Sequence, residues 1–558
     1  MEAQTREENF QVKHIWRLLV VIFLLLAIYI STILGQSVTI SFVTFTLYGS
    51  ILLVRKVVQL TFAIKNNRKM MAIVREPIIA AIQLLEHDPA KIDKLSSKLR
   101  RYMPFDDFRA IAMQELNLSD KEWKELMLST FSKEEMLTCD LSVPIYGVTP
   151  NEIRDQVESL VSMTYQFRNV YLELNGTIEV GGRKPKPLSI WKKLFNFLFW
   201  FLPKFQIDLG EEGQKVRDDV AWSTIVSLSE KYNSDPDVYT RFIPRYEPIG
   251  DKRGVMYDAF LESIKNESDL TGNIDGDTIV DRDALANTVR VFNSNPKWVC
   301  LTGDVRLLNP LFNLLTILTM IRYFNAFNIE RAAQSLFEQM TVPSGPYFVY
   351  RTKQLAQIVH KWRFQQFLPK KPDEYCTFGD DRHTGTLALM MLWALGFLSE
   401  AIVWTEAPTK TGRWMLQQLR WARSAWRETY ILFEYGMKNG FGFLNWFVLG
   451  DQIYLTFFPF LVLGVIIAVT TRAISVSFSQ GIVEGFFVVL PYIVTILIVN
   501  WLFNSAYGLR IKGSLWFLLS PMYVLYWLFI LTPVKFWGAL TVNESGWTAR
   551  TAEGIAQK

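Results

Sequence analysis

Leu141-Ser142-Val143-Pro144-Ile145-Tyr146-Gly147, followed by Pro150-Asn151-Glu152 and then Val170-Tyr171-Leu172-Glu173-Leu174, decides the fold. The first stretch reads as a buried strand running into a turn. Pro150 opens a helix whose apolar positions are Ile153, Val157, Leu160 and Val161, and Val170–Leu174 is a second strand. Strand–helix–strand requires a crossover, so the sheet is parallel and the domain α/β. Ligands of such sheets gather beyond the carboxyl ends of the strands. Tyr146 and Glu173 stand there and are expected beside a nucleotide.

Outward from this core the chain turns apolar at both ends. It has 558 residues, half of them hydrophobic, with 18 Trp, 40 Phe and a net charge of only +5. So much apolar and aromatic surface points to a membrane, and the mild charge argues against a nucleic-acid partner. Cys139, Cys300 and Cys376 form no CxxC pair and no zinc spacing, as expected of reduced thiols in the cytosol.

Residues 15–34 and 38–64 are each long enough to span ~30 Å of hydrocarbon. Gly35-Gln36-Ser37 between them is uncharged and Lys65, Arg68 and Lys69 follow, so the N-terminus and the chain after Lys65 are expected on the cytosolic side. Further apolar stretches cover 448–469, 482–503 and 514–532. The last contains Pro521 and is followed by Pro533, and is expected to be a broken, re-entrant or interfacial element. The aromatic run 189–202, with Lys192 and Lys193, is expected to lie at the membrane interface, a buried core helix being the alternative. Residues 66–140 read as a helical linker region without evident chemistry.

Ile274-Asp275-Gly276-Asp277-Thr278 is the sharpest local signal. Two carboxylates one residue apart suit a hard divalent cation on a diphosphate, although Asp-Gly-Asp is also a common solvated turn. Downstream stand Thr302-Gly303-Asp304-Val305-Arg306, Asn328-Ile329-Glu330-Arg331, Ser344-Gly345-Pro346, Phe378-Gly379-Asp380-Asp381-Arg382-His383 and Gln417-Gln418-Leu419-Arg420-Trp421, and near the end Gly546-Trp547-Thr548-Ala549-Arg550. This ordered set resembles the hyaluronan synthase branch of the processive family-2 glycosyltransferases, and is similar also to chitin and cellulose synthases. It covers residues 141–550, most densely 275–428.

The resemblance implies a cytosolic GT-A-like catalytic domain over 141–400 with an insert at 186–215. It further implies acceptor-site and interface helices over 401–447, transmembrane and re-entrant helices over 448–540, and a cytosolic tail over 541–558. The implied activity is repeated transfer from UDP-sugars, UDP-GlcNAc and UDP-GlcA for hyaluronan, with the polymer passing through the enzyme's own plasma-membrane helices. Asp275 and Asp277 would hold Mg2+ or Mn2+ and the donor diphosphate, and Asp381 would be the base that deprotonates the acceptor hydroxyl. Gln417, Arg420, Trp421, Asp304 and Asp380 would line the acceptor side. Lys252 and Arg253 would pair with the diphosphate, and Trp547 and Arg550 would close over UDP.

The chain departs from the family pattern twice. Leu174-Asn175-Gly176 replaces an acidic pair expected to hold uracil, and Asp251 stands beside Lys252 where the family has glycine. Asp381 could instead pair with Arg382 or His383, and Trp421 could be a core aromatic. A chitin-like or glucan-like polymer, another glucuronate-containing polymer, or single-sugar transfer to a lipid phosphate are the rival products, and the oligomeric state stays open.

Overall fold

The computed structural model describes residues 38–85, 88–175, 218–247, 251–366, 375–376, 378–490, 497–498, 501, 508 and 515–543. The expected first span (15–34), the interfacial run 189–202, most of the second half of 482–503, and Trp547 and Arg550 lie outside them. The chain divides into two compact units, one built chiefly from 63–365 and 378–417, the other from 38–62 and 418–543.

The first unit is built on an eight-stranded sheet: β1 Cys139–Ile145, β2 Asn169–Asn175, β3 Arg241–Glu247, β4 Leu270–Asn273, β5 Ile279–Val280, β6 Trp298–Leu307, β7 Phe348–Arg351 and β8 Ala394–Thr405. Their order is β3-β2-β1-β4-β7-β6-β8-β5. β3, β2, β1 and β4 are mutually parallel, as the alternation of strand and helix requires. The other half is mixed, because β7 runs against both β4 and β6. Leading from β1 the chain moves first to β2 and β3, then returns to the other side as β4. The boundary between β1 and β4 is therefore the switch point where a ligand crevice opens.

Helix Pro150–Val161 shows why the local sequence folds as read. Thr149 and Glu152 form a reciprocal capping box and Pro150 occupies the first turn. Its inward Gln156 donates to the carbonyls of Asp275 (2.7 Å) and Thr278 (3.2 Å), so this helix fixes the turn after β4.

The helical layer before the sheet locks onto it through charge. Val38–Leu85 is one 48-residue helix that continues through residue 65, where the apolar pattern ends, since no glycine or proline interrupts residues 51–76. Its Arg75 is buried, donates to Glu400 on β8 at 2.7 Å, and reaches the Met103 carbonyl at 2.6 Å. On helix Phe105–Leu116, Arg109 holds Asp281 and Asp283 at 2.8 Å each, while Asp106 accepts from Arg306 at 2.8 Å.

Among the described residues of the other unit, two helical runs are long and apolar enough to cross a membrane, Trp446–Gln480 (mean hydropathy 2.4) and Leu515–Leu540 (1.8). The second run is continuous but changes type. A 3-10 turn (Leu515–Leu519), an α piece (Ser520–Tyr526), a π turn (Trp527–Leu531) and a final α piece (Thr532–Leu540) follow one another. Pro521 and Pro533 each fall in the first turn of an α piece, where a missing N–H is tolerated. Asp451 accepts from Arg55 (2.8 Å) and Gln59 (3.0 Å), joining helix Val38–Leu85 to Trp446–Gln480. Trp426 donates to the Lys535 carbonyl at 2.8 Å, and a side chain at Gly538 would meet Ala422 Cβ at 2.6 Å. Small residues thus let these helices approach closely.

Candidate active site

Asp275 stands just past β4, after Ile274, and Tyr146 follows β1, so both stand at the switch point, each half-buried. Gly276 is required between the two acids by close approach. A Cβ there would sit 2.8 Å from the Pro144 carbonyl oxygen and 3.0 Å from Ile145 Cα. Gly345 of the Ser-Gly-Pro element likewise lies against the Asp275 carboxylate, a Cβ meeting Oδ2 at 3.2 Å.

Lys252 is the hub of the site. Its ammonium lies 2.7 Å from Asp275 Oδ1 and 3.3 Å from Asp380 Oδ2, so one cation joins the Asp-Gly-Asp turn to the Gly-Asp-Asp element. Burial alone would lower its pKa, but attraction to Asp275 and Asp380 prevails and holds it well above the ordinary lysine range. Lys252 is therefore charged at any working pH.

Asp380 and Asp381 open helix Asp380–Met390, whose N-cap Gly379 has φ 75° and ψ 33°. That left-handed conformation favours glycine, and the helix N-terminus it creates favours anions. The two acids are nonetheless driven apart. Burial opposes ionisation of Asp380, but Lys252 and then Arg253 outweigh it and keep the carboxyl below its ordinary range. Burial and then the Asp380 anion push Asp381 up, against attraction from Arg382 and Lys252. One carboxylate is a fixed anion and its neighbour is a poised base, the division proton transfer needs.

Burial, then repulsion from Asp275, pushes the Asp277 carboxyl up to about 7, although Thr405 donates to it at 3.2 Å. An under-compensated Asp277 carboxyl, separated by one residue from a second carboxylate, fits a divalent cation. Among the described residues no group of three or more acids, histidines and cysteines could hold a metal ion. Two hard oxygens agree with a cation whose remaining ligands are donor phosphates and water.

Three of the expected site residues are engaged by other groups of the protein. Arg253 is expected on the diphosphate, yet its buried guanidinium donates to the Trp362 carbonyl (3.1 Å), Gln365 Oε1 (3.0 Å) and the Phe378 carbonyl (3.2 Å). It braces the backbone leading into Gly379-Asp380-Asp381 because the helix Lys252–Lys265 turns it inward. Asp304 is expected to touch a sugar, but it is buried with Oδ1 bonded to Asn328 (2.7 Å) and Oδ2 to Arg306 (3.0 Å). Glu173 is expected near the nucleotide. Its buried carboxyl instead lies between β1 and β3, 3.4 Å from Ser142 Oγ and 4.0 Å from Arg245, and burial pushes its pKa up. Asn175, on the same face of β2, is buried with Oδ1 open among the described residues. Asp251 is taken up by Arg363 at 2.6 Å, so it does not contend with Asp275 for Lys252.

Gln417, Arg420 and Trp421 lie at i, i+3 and i+4 of helix Thr411–Asn439, hence along one face, each half-buried. Gln417 belongs to the sheet unit, and Arg420 and Trp421 to the other. Sequence reading misses the Lys252–Asp380 contact and the roles of Gln156 and Asn328. Only the Asn-Ile-Glu-Arg string hints at the last.

Residues 230–424 match the family described as "Glycosyltransferase like family 2". This match, together with the homologues, makes the chain a glycosyltransferase. Its homologues are hyaluronan synthases. It is 26% identical to human hyaluronan synthase 3 over 419 residues (73% of this chain, 68% of the relative). It is 27% identical to human hyaluronan synthase 2 over 421 residues (74% and 69%), and 31% identical to Xenopus laevis hyaluronan synthase 1 over 298 residues (53% and 47%). Among solved structures, a mannosyltransferase from Pyrobaculum calidifontis in complex with GDP-Man and Mn2+ matches with a TM-score of 0.38 and 14% identity, over 67% of this chain and 86% of that one.

Proposed function

We propose that the chain is a processive, inverting hyaluronan synthase-like enzyme. It would take UDP-GlcNAc and UDP-GlcA alternately and extend a polysaccharide that leaves through its membrane helices. The observation that carries this reading is the Lys252 ammonium shared by Asp275 and Asp380, with Asp381 the next residue on the helix N-terminus. It joins a donor-phosphate element to a base in one cleft.

In this reading the acceptor hydroxyl oxygen attacks the anomeric carbon while the bond from that carbon to the diphosphate oxygen breaks. Asp381 takes the hydroxyl proton, and UDP departs with the bonding electrons. Asp275 and Asp277 would hold a divalent cation, Mg2+ or Mn2+, which supplies charge neutralisation at the leaving diphosphate. Lys252 adds a fixed positive charge on the same side. Tyr146 and Asn175 edge the uracil end, Asn175 offering an open buried acceptor to a base N–H. Gln417, Arg420 and Trp421 would present one helical face to the acceptor, where an indole ring can stack on a sugar. Trp547 and Arg550 would close over UDP from the C-terminal tail. The long apolar runs Trp446–Gln480 and Leu515–Leu540 support residence in a membrane, and a plasma-membrane enzyme with its catalytic unit in the cytosol fits the charge pattern around Lys65.

The test is incubation of purified protein with each UDP-sugar alone and in pairs, with Mg2+ or Mn2+ and with chelator. High-molecular-weight product that needs both UDP-GlcNAc and UDP-GlcA, needs the cation, and disappears with hyaluronidase is expected. Polymer from a single donor would replace this reading with a homopolymer synthase, and addition of one sugar to a lipid phosphate would remove processivity.

A further inference from the structure

The π-helical turn Asn325–Arg331 follows helix Leu314–Phe324 and is pinned from outside through Asn328 and Asp304. Inserted π turns are rare and gather at functional sites. At its end stands Arg331, whose guanidinium carbon lies 4.0 Å from the Phe327 ring centroid. Its Nη1 is buried and has no hydrogen-bond partner among the described residues. An open buried donor on a charged group costs about 1–3 kcal/mol or more, so a native site normally supplies an acceptor.

The electrostatic neighbours locate this open donor. Burial lowers the Arg331 pKa to about 10, leaving it charged at neutral pH, and the strongest attraction on it comes from Asp381. Tyr323, which also interacts with Arg331, feels Asp277 and Asp275 in turn. Among the acids it feels, Arg331 thus answers most to Asp381, whereas Lys252 makes its ion pairs with Asp275 and Asp380. Groups beside the base face the sugars that react, not the departing phosphates. A planar guanidinium with a free N–H is made for a carboxylate.

We propose that Arg331 recognises the carboxylate of a hexuronate bound in this cleft, and so makes an anionic sugar one of the enzyme's two substrates. The proposal rests on the hyaluronan-type reading above. The carboxylate can arrive on the donor, as UDP-GlcA, or at the end of the growing chain. Phe327 beneath the guanidinium and Asp304 behind Asn328 position it.

The experiment compares wild type, Arg331→Met and Arg331→Lys as full chains purified in detergent, with UDP release as the readout. KM and kcat are measured for UDP-GlcA at saturating UDP-GlcNAc, and the reverse. Oligosaccharides with GlcA or GlcNAc at the extending end are compared as acceptors. Loss of one charge-assisted hydrogen bond should raise KM for the uronate by about ten- to a hundredfold in Arg331→Met. The GlcNAc parameters should stay within about threefold, and Arg331→Lys should recover part of the loss. A donor effect locates the carboxylate on UDP-GlcA, and an effect confined to GlcA-ended acceptors locates it on the chain. Equal losses for both sugars, no loss for either, or failure of both variants to purify as folded protein would overturn the proposal. Failure of wild type to use UDP-GlcA at all would instead sink the proposed function, so the two failures are distinguishable.

Discussion

Asp380 and Asp381 are adjacent acids with opposite shifts: Lys252 and Arg253 outweigh burial at Asp380, whereas burial and the Asp380 anion raise Asp381. Lys252 lies against Asp380, so the proton affinity of the pair is concentrated on Asp381. Asp381→Asn should lower kcat by about 10²- to 10⁴-fold with little change in donor binding, read as UDP release against donor titration. Asp380→Asn removes the anion that raises Asp381, so the Asp381 pKa falls and its basic form persists to lower pH. The acid limb of the kcat/KM profile should therefore move to lower pH, and a limb that stays or rises would contradict the assignment. At Gly276 the constraint is steric. Gly276→Ala must displace the turn from the Pro144 carbonyl, and misplacing Asp275 and Asp277 should cost about a hundredfold in kcat/KM.

The π turn Asn325–Arg331 is an element held by a partner on another strand. Asp304 sits at a register shift between β6 and β8, just after Gly303, where a Cβ would come within 2.3 Å of the Ala401 carbonyl. The irregularity lets Asp304 accept from Arg306 and Asn328 together. Asp304→Ala leaves both donors without that acceptor, a cost of about 1–3 kcal/mol. Amide hydrogen exchange over 325–331 should accelerate in that variant while the remote helix Pro150–Val161 is unchanged.

For the sheet unit as a whole, stability depends on a helical layer clamped to the sheet by buried or half-buried charges. Arg75→Met strands Glu400 in the interior and frees the Met103 carbonyl. A loss of about 3–5 kcal/mol is expected, visible as a lower thermal midpoint of the detergent-solubilised protein. Arg75→Lys should recover little of it. Glu400 is bound through the guanidinium Nε and the Met103 carbonyl through Nη2, and only a planar fork reaches both.

The amino-acid order alone determined the parallel half of the sheet, the long apolar helices and the candidate acids. Each follows from local rules: side-chain periodicity, caps such as Thr149–Glu152, and the few backbone shapes open to Asp-Gly-Asp and Gly-Asp-Asp. Folding decided which polar groups are spent on structure. Arg253, Asp304 and Glu173 look like binding residues in a string of letters, but packing turns Arg253 onto Gln365, Glu173 onto Ser142 and Arg245, and Asp304 onto Arg306 and Asn328. Lys252, by contrast, acquires its role only when β4 and helix Asp380–Met390 meet, over a hundred residues apart, because an ion pair depends on distance in space and no sequence period encodes it.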